Sequence, residues 1–450
     1  MKKLKKAISV MIAFSLMLSL SSCVSEKNTV QLSSNQTSSY VPTSSEYPSS
    51  NEEISSHEES SDLSSIVSQI ESSQASSKQT SSKTVTSKQT SSKPASSKVT
   101  PPSSTKPSST PPVSSKPNQG SNVSHEQMKA VWIAFLEFDS FKGSDEATFT
   151  RKIQQYFDTS VSKGLNTVIV QVRPHGDSMY ESAYFPWSKH ANGVVGQGVS
   201  YDPLAIMVSE AHKRSLEIHA WINPYRTMTD DEFAYVDDSY KTKQWYNSSD
   251  RQKYMIKCSD GRWWLQPGSA EVQQLIINGS NEIMSKYNVD GIHIDDYFYN
   301  ASVATYGDTA SQAKANTTAI VKGLHDGVKR INPKARFGVS PAGGFRENNS
   351  LPSSDMGSLS TNLALWCSQD GYIDYVMPQI YWDYNHSTQP FTMTLQKWEN
   401  FVTADSVALY IGLAPYRLSS TVINQQITET MASSRASGYA LFRYDHILGL

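Results

Sequence analysis

Val289-Asp290-Gly291-Ile292-His293-Ile294-Asp295-Asp296-Tyr297-Phe298-Tyr299 reads as a short β-strand with two unlike faces. Successive side chains of a strand point to opposite sides, so Ile292 and Ile294 share one face while His293, Asp295 and Tyr297 share the other. Three further stretches repeat the pattern. In Thr167–Arg173, Val168, Val170 and Val172 oppose Gln171 and Arg173; in Glu217–Asn223, His219, Trp221 and Asn223 fall together; in Tyr375–Tyr381, Met377, Gln379 and Tyr381 do so. The apolar faces suit packing beneath helices, which turns the polar sets into the space that the strands enclose. Each set becomes more polar toward the C-terminal end of its strand.

Outward from these four, the alternation of short apolar strands with amphipathic helices predicts a parallel sheet. Eight strands can be counted: 131–138, 167–173, 217–223, 291–297, 336–340, 375–381, 408–414 and 439–444. Asp202-Pro203-Leu204 opens a helix with an N-cap and a first-turn proline. Ser269 to Tyr287 forms another, with Val272, Leu275, Ile276, Ile283 and Met284 on helical spacing. Eight strand–helix units predict an α/β fold, a (β/α)₈ TIM barrel, whose active sites lie at the C-terminal ends of the strands. Little chain remains beyond the eighth strand, so its outer helix is expected to be stunted.

The chain has 450 residues, is 38% hydrophobic and 18% charged, and has a net charge of −2. These averages hide two unlike parts. Up to about residue 125 the sequence is mostly Ser, Thr, Lys, Pro and Gln. Met1-Lys2-Lys3-Leu4-Lys5-Lys6 followed by the apolar run 7–20 has the form of a signal peptide, and the run is short of the ~20 residues that a spanning helix needs. It ends at Leu20-Ser21-Ser22-Cys23, the pattern of a bacterial lipobox, with Cys23 as the residue to be lipidated. The expected organisation is a signal peptide over 1–22, a lipidated Cys and linker over 23–125, and the barrel over 126–450. The linker has too little apolar surface to offset chain entropy and is expected to be a disordered tether. Its five-residue repeat, as in Ser76-Ser77-Lys78-Gln79-Thr80, matches no packed solenoid unit. Such a tether averages roughly 55 Å as a flexible coil. The expected setting is extracytoplasmic, on the bacterial surface, held to the membrane by the lipid.

No basic stripe interleaves with aromatic residues in the folded part, which speaks against nucleic acid as a partner. No Cys or His spacing resembles a metal site, and nothing calls for a cofactor. Cys258 and Cys367 read as two separate buried residues. The oligomeric state is left open.

The stretches 164–174, 219–226 (His219-Ala220-Trp221-Ile222-Asn223-Pro224-Tyr225-Arg226), 289–299 and 372–382 (Tyr372-Ile373-Asp374-Tyr375-Val376-Met377-Pro378-Gln379-Ile380-Tyr381-Trp382) resemble, in order, those of the glycosyl hydrolase-like family 10 proteins, the DUF187 group. The resemblance runs from about Met128 to Asp445. It implies a TIM barrel, a cell-envelope setting and glycosidase activity, with peptidoglycan glycan strands as the substrate of some members. Two stretches depart from the family pattern: its Trp-Arg-Arg-Asp-Asn reads Gln312-Ala313-Lys314-Ala315-Asn316, and its Asn-Pro-Gly reads Gln266-Pro267-Gly268.

Glycoside hydrolysis usually needs two carboxyl groups. Asp295 is the candidate nucleophile or electrostatic stabiliser; the alternative is a structural acid salt-bridged to Arg173, and the two can coexist because an arginine nearby would keep Asp295 ionised. Asp296 is the candidate partner. It can join the site only if the strand ends or bulges there, because adjacent strand residues diverge. With an N-acetylated substrate the pair could serve a substrate-assisted route. Glu137, Glu347 and Asp383 compete for the acid role. Arg173, Asn223, Tyr225, His293, Tyr297, Gln379, Tyr381 and Trp382 are candidate substrate-binding residues, with Tyr384 close to the last. Trp245, Tyr246, Trp263 and Trp264 in the long third connection suit either sugar stacking or a small core of their own. Two other readings stand beside the hydrolase: a non-catalytic glycan-binding barrel, and a metal-dependent amidase or deacetylase using His175, Asp177, His293 and Asp295.

Overall fold

The computed structural model describes residues 125–346, 350–355 and 359–450. The signal segment, Cys23, the tether and Glu347 lie outside them. Eleven strands run in chain order: β1 (Met128–Ile133), β2 (Thr167–Arg173), β3 (Glu217–Ile222), β4 (Arg226–Thr229), β5 (Met255–Lys257), β6 (Arg262–Leu265), β7 (Gly291–Asp295), β8 (Arg336–Ser340), β9 (Tyr375–Val376), β10 (Ala408–Leu413) and β11 (Ala436–Leu441). Eight of them close into a barrel in the order β1-β11-β10-β9-β8-β7-β3-β2, with every pairing parallel. With its ring of helices this is a TIM barrel. The other three, β4-β6-β5, form a small antiparallel sheet in the connection between β3 and β7.

Helices start where the sequence signals them. Asp202 accepts from the Ala205 amide to cap Pro203–His212, and Ser269 accepts from Val272 to cap Ala270–Lys286. The expected boundaries shift in four places, one of them the strand at 291, which ends at Asp295 and not at 297. The first strand stops at Ile133, because Glu137 turns back to the Ala134 amide and fixes a short helix, Phe135–Phe138. The sixth is only two residues long and continues as isolated bridges from Gln379 to Ala342 and Gly412. The eighth begins at Ala436, three residues before Tyr439, and is followed by a four-residue helix, Tyr444–Ile447.

The core has two parts. Outside the barrel, Val168, Val170, Ile218, Ile292 and Ile294 pack against helix residues such as Leu275 and Ile276. Inside it, Met128, Trp132, Ile169, Trp221, Tyr375, Met377 and Tyr410 fill the space. His293 belongs to this filling, not to the ligand surface proposed for it. It is 1% exposed, its Nε2 accepts from Trp132 Nε1 (3.1 Å), and its Nδ1 lies 3.0 Å from the Tyr375 hydroxyl. Burial lowers its pKa to about 3, so the ring is neutral and carries its proton on Nδ1.

Arg173 is a second correction. The pairing of β2 with β3 steps from Gln171↔Trp221 to Arg173↔Ile222, so Val172 is one residue too many. Such a bulge reverses the phase of the residues beyond it. Gln171 keeps its inward direction, and Arg173 turns out under the helix Ala270–Lys286. There it is wholly enclosed, with its guanidinium 4.1 Å above the Phe185 ring. Burial pushes its pKa down to about 10. It cannot contact a ligand at the barrel mouth.

Candidate active site

The C-terminal ends of β1, β2, β3 and β7 are joined by a line of amide hydrogen bonds. The Phe135 amide donates to Gln171 Oε1 (3.1 Å), and Gln171 Nε2 donates to Asn223 Oδ1 (2.5 Å). Asn223 Nδ2 is thereby aimed at Asp295 and donates to its Oδ2 (2.5 Å). Arg226 Nη2 also donates to Asn223 Oδ1 (3.3 Å), while its Nε is held by the Pro174 carbonyl (3.0 Å). An amide that receives two donors on its oxygen has one orientation available, and the Asp295 contact depends on it.

Asp295 is 5% exposed. Burial raises its pKa from 3.8 to about 6; Asp296 adds to the rise, and Arg226 and the Asn223 bond oppose it. Arg226, and not Arg173, supplies the positive field expected here. β7 ends at Asp295, so Asp296 is freed from strand alternation. Its Oδ2 accepts from the Ala342 amide (2.8 Å) and the Ser354 hydroxyl (2.6 Å), and burial raises its pKa too. Two buried acids of raised pKa, beside each other at the mouth of a barrel, can in chemical terms share a proton-transfer task.

The other expected residues divide. Tyr297 is 46% exposed beside Asp295. Tyr381 reaches the same space: burial raises its hydroxyl pKa well above the ordinary value, and Tyr416, Tyr297, Asp295 and Asp296 add to the rise. Gln379 Nε2 spans to Ser340, donating to its carbonyl (3.1 Å) and hydroxyl (3.2 Å). Trp382 is partly buried with its Nε1 donated to the Gln389 carbonyl (2.5 Å). Tyr225 is a correction, since it is wholly buried against Phe298 and has no open face. Among the rival acids, Glu137 is fully engaged by Arg443 Nη1 (2.6 Å) and the Ala134 amide (2.8 Å), with its pKa raised by burial to about 7. Asp383 accepts from the Asn385 amide (2.9 Å) in a turn.

The aromatic residues of the third connection form their own core. Phe233 stacks on Tyr246 at 4.4 Å, Trp245 on Tyr254 at 4.9 Å, and Trp264 is 2% exposed. His175 and His190 lie together against Phe135, away from His293 in the barrel interior. Among the described residues no group of three or more His, Cys, Asp or Glu could hold a metal ion. Cys258 and Cys367 are both free and buried.

Three residues of the mouth went unassigned from the sequence. Arg226 stood in a recognised stretch but beyond the end of its strand, where alternation gives no direction. Tyr416 and Phe442 lie one to three residues past the ends of β10 and β11, which was the available signal.

A family model described as "Glycosyl hydrolase-like 10" matches residues 127–428. Glycosyl hydrolase YngK of Bacillus subtilis (strain 168) is 32% identical over 335 residues, covering 68% of this chain and 64% of that protein, so just under two thirds of that relative is matched. Glycosyl hydrolase DigH of Escherichia coli (strain K12) is 32% identical over 382 residues, 74% of this chain and 86% of that protein. Among solved structures, the PgaB (BpsB) glycoside hydrolase domain from Bordetella bronchiseptica superposes with a TM-score of 0.49 at 12% identity, covering 72% of this chain and 95% of that one. The chain belongs to the glycosyl hydrolase-like 10 family.

Proposed function

We propose that the chain is a glycoside hydrolase that cleaves O-glycosidic bonds of a cell-envelope polysaccharide, with peptidoglycan glycan strands as the first candidate substrate. The observation that carries this reading is the enclosed Asp295, held by Asn223 and faced by Arg226, beside a second buried acid, Asp296. Asp295 is the carboxylate that meets positive charge developing at the sugar carbon, and Asp296 is its partner in proton transfer. Tyr297, Tyr381 and Gln379 border the sugar. The N-terminal Cys23 would hold the enzyme to the membrane at the cell surface.

The test is release of soluble sugar from purified peptidoglycan, from peptide-free glycan strands and from a panel of other polysaccharides, by the parent and by Asp295→Asn. The expected outcome is release that falls by about 10³-fold or more in the variant, given the usual weight of such a group. A second reading, a glycan-binding barrel without catalysis, has one observation in its favour: Asp296 is committed to Ala342 and Ser354. Glycan binding by a parent that releases nothing would select it.

A further inference from the structure

Tyr381, Tyr416 and Phe442 make a wall of rings at the barrel mouth. Tyr381 lies 5.8 Å from Phe442 at an interplanar angle of 29°, and Tyr416 stands edge-on to both, at 6.0 and 5.9 Å. Phe442 rests in turn on Trp132 of the barrel interior, at 5.9 Å. The three rings come from the segments that follow β9, β10 and β11, and in the closed order β11 lies directly across the barrel from β7, which carries Asp295. The wall is not sealed: Tyr416 remains 42% exposed although the rings of Tyr381, Phe442 and His446 flank it. Arg443, next to Phe442 in the chain, is occupied by Glu137 and Asp445, so its charge is neutralised.

We infer that this wall is a stacking subsite for a pyranose ring of the glycan, the ring next to the one held at Asp295. The inference rests on the glycan-processing reading above. Tyr381 makes the two places continuous, because its ring belongs to the wall and its hydroxyl feels Asp295 and Asp296. A pyranose ring with equatorial substituents presents a flat C–H face, which suits an aromatic face better than water does. The carboxyl and amide groups that fix orientation stand on the acid side, while the wall offers ring faces with only the Tyr381 and Tyr416 hydroxyls at their tips, the division expected of a small-molecule site. The occupant is therefore a sugar ring laid flat and not a charged group.

The test uses the full chain carrying Asp295→Asn, so that glycan is bound and not consumed. β-1,4-linked N-acetylglucosamine tetramer and hexamer and peptide-free glycan strands are titrated calorimetrically, with and without Tyr416→Ala. The expected result is affinity for the longer probes lowered tenfold or more by Tyr416→Ala. Tyr416→Phe and Tyr416→Trp should stay within about threefold of the parent, because the ring and not the hydroxyl is needed. Melting temperature should fall by only a few degrees in Tyr416→Ala, since the ring is 42% exposed, and should hold in Tyr416→Phe. Parent binding that Tyr416→Ala leaves intact overturns the subsite, whether or not the wild type releases sugar. Lost binding supports it, even if the wild type proves to be a binding module without catalysis. A change in oligomeric state with unchanged affinity assigns the wall to a second copy and overturns it. No binding of any probe by the parent overturns both the subsite and the glycan reading.

Discussion

A carboxyl group taken out of water keeps its proton more firmly, and the neighbours of Asp295 decide how far that goes. Its pKa, raised from 3.8 to about 6 mainly by burial, is restrained by Arg226 and by the Asn223 bond. If Asp295 acts as the carboxylate, kcat/KM should fall with unit slope as pH drops below about 6. Asn223→Ala removes a bond to the ionised form and Arg226→Met removes the facing charge, so each should move that limb to higher pH. A pH–rate profile of each variant checks this, and an unmoved limb would separate Asp295 from the titration. Glu137 gives a stability test at the same scale. Its folded pKa, about 7, stands above its ordinary 4.5, so its contribution favours the fold at low pH and is lost as pH rises through 7. Arg443→Met leaves that carboxylate enclosed without its cation and should cost about 2–3 kcal/mol at pH 8, and clearly less at pH 5 where Glu137 takes up a proton. Urea unfolding at the two pH values reads the difference. Which residues would hold Asp295 was only half legible: alternation brought Asn223 and Asp295 to one face, but Arg226 lies past the strand, where no periodicity operates.

At the scale of the element, strand type and order were open to reading because parallel barrel strands are apolar on their outer face and turn polar at one end. The phase error at Arg173 has a specific origin. A single inserted residue, Val172, leaves hydrophobic pattern and length unchanged while turning the next side chain outward. His293 was misplaced for a different reason: a neutral histidine paired with Trp132 and Tyr375 looks in sequence like a functional one. The ends of strands were over-extended where a side chain caps a turn, as Glu137 does. The outward arginine makes its own demand on the helix above it. A Cβ at Gly279 would lie 2.4 Å from Phe185 and 2.5 Å from Arg173 Nη1. Gly279→Ala gains about 1 kcal/mol in helix propensity, yet the overpacking should win and destabilise the protein by about 1–2 kcal/mol net. Thermal melting tests the sign, and a rise in Tm would show that the Arg173–Phe185 pair moves aside freely.

Over the whole molecule, the sequence divides labour between a folded part rich in aromatic residues and a leading part almost without them. Cys23→Ala should shift the protein from the membrane fraction to the soluble one while leaving the melting temperature unchanged, as fractionation and thermal unfolding of the full chain would show. Retention in the membrane fraction would mean that something other than a lipid on Cys23 holds it. The closure of the barrel carries a further consequence. β1 lies between β2 and β11, with Met128 beside Gly438, and a Cβ at position 438 would stand 1.8 Å from the Met128 carbonyl oxygen. One edge of the first strand to be made thus waits, unpaired, for the last. Contacts this distant in sequence form slowly, and an open edge is a template for pairing with other chains. For a chain that emerges gradually, amino end first, this sets a race between self-closure and aggregation. Gly438 bears on the outcome because only a residue without a Cβ lets the late strand dock against the Met128 backbone, so a side chain there would lower folding yield and the stability of the finished barrel together.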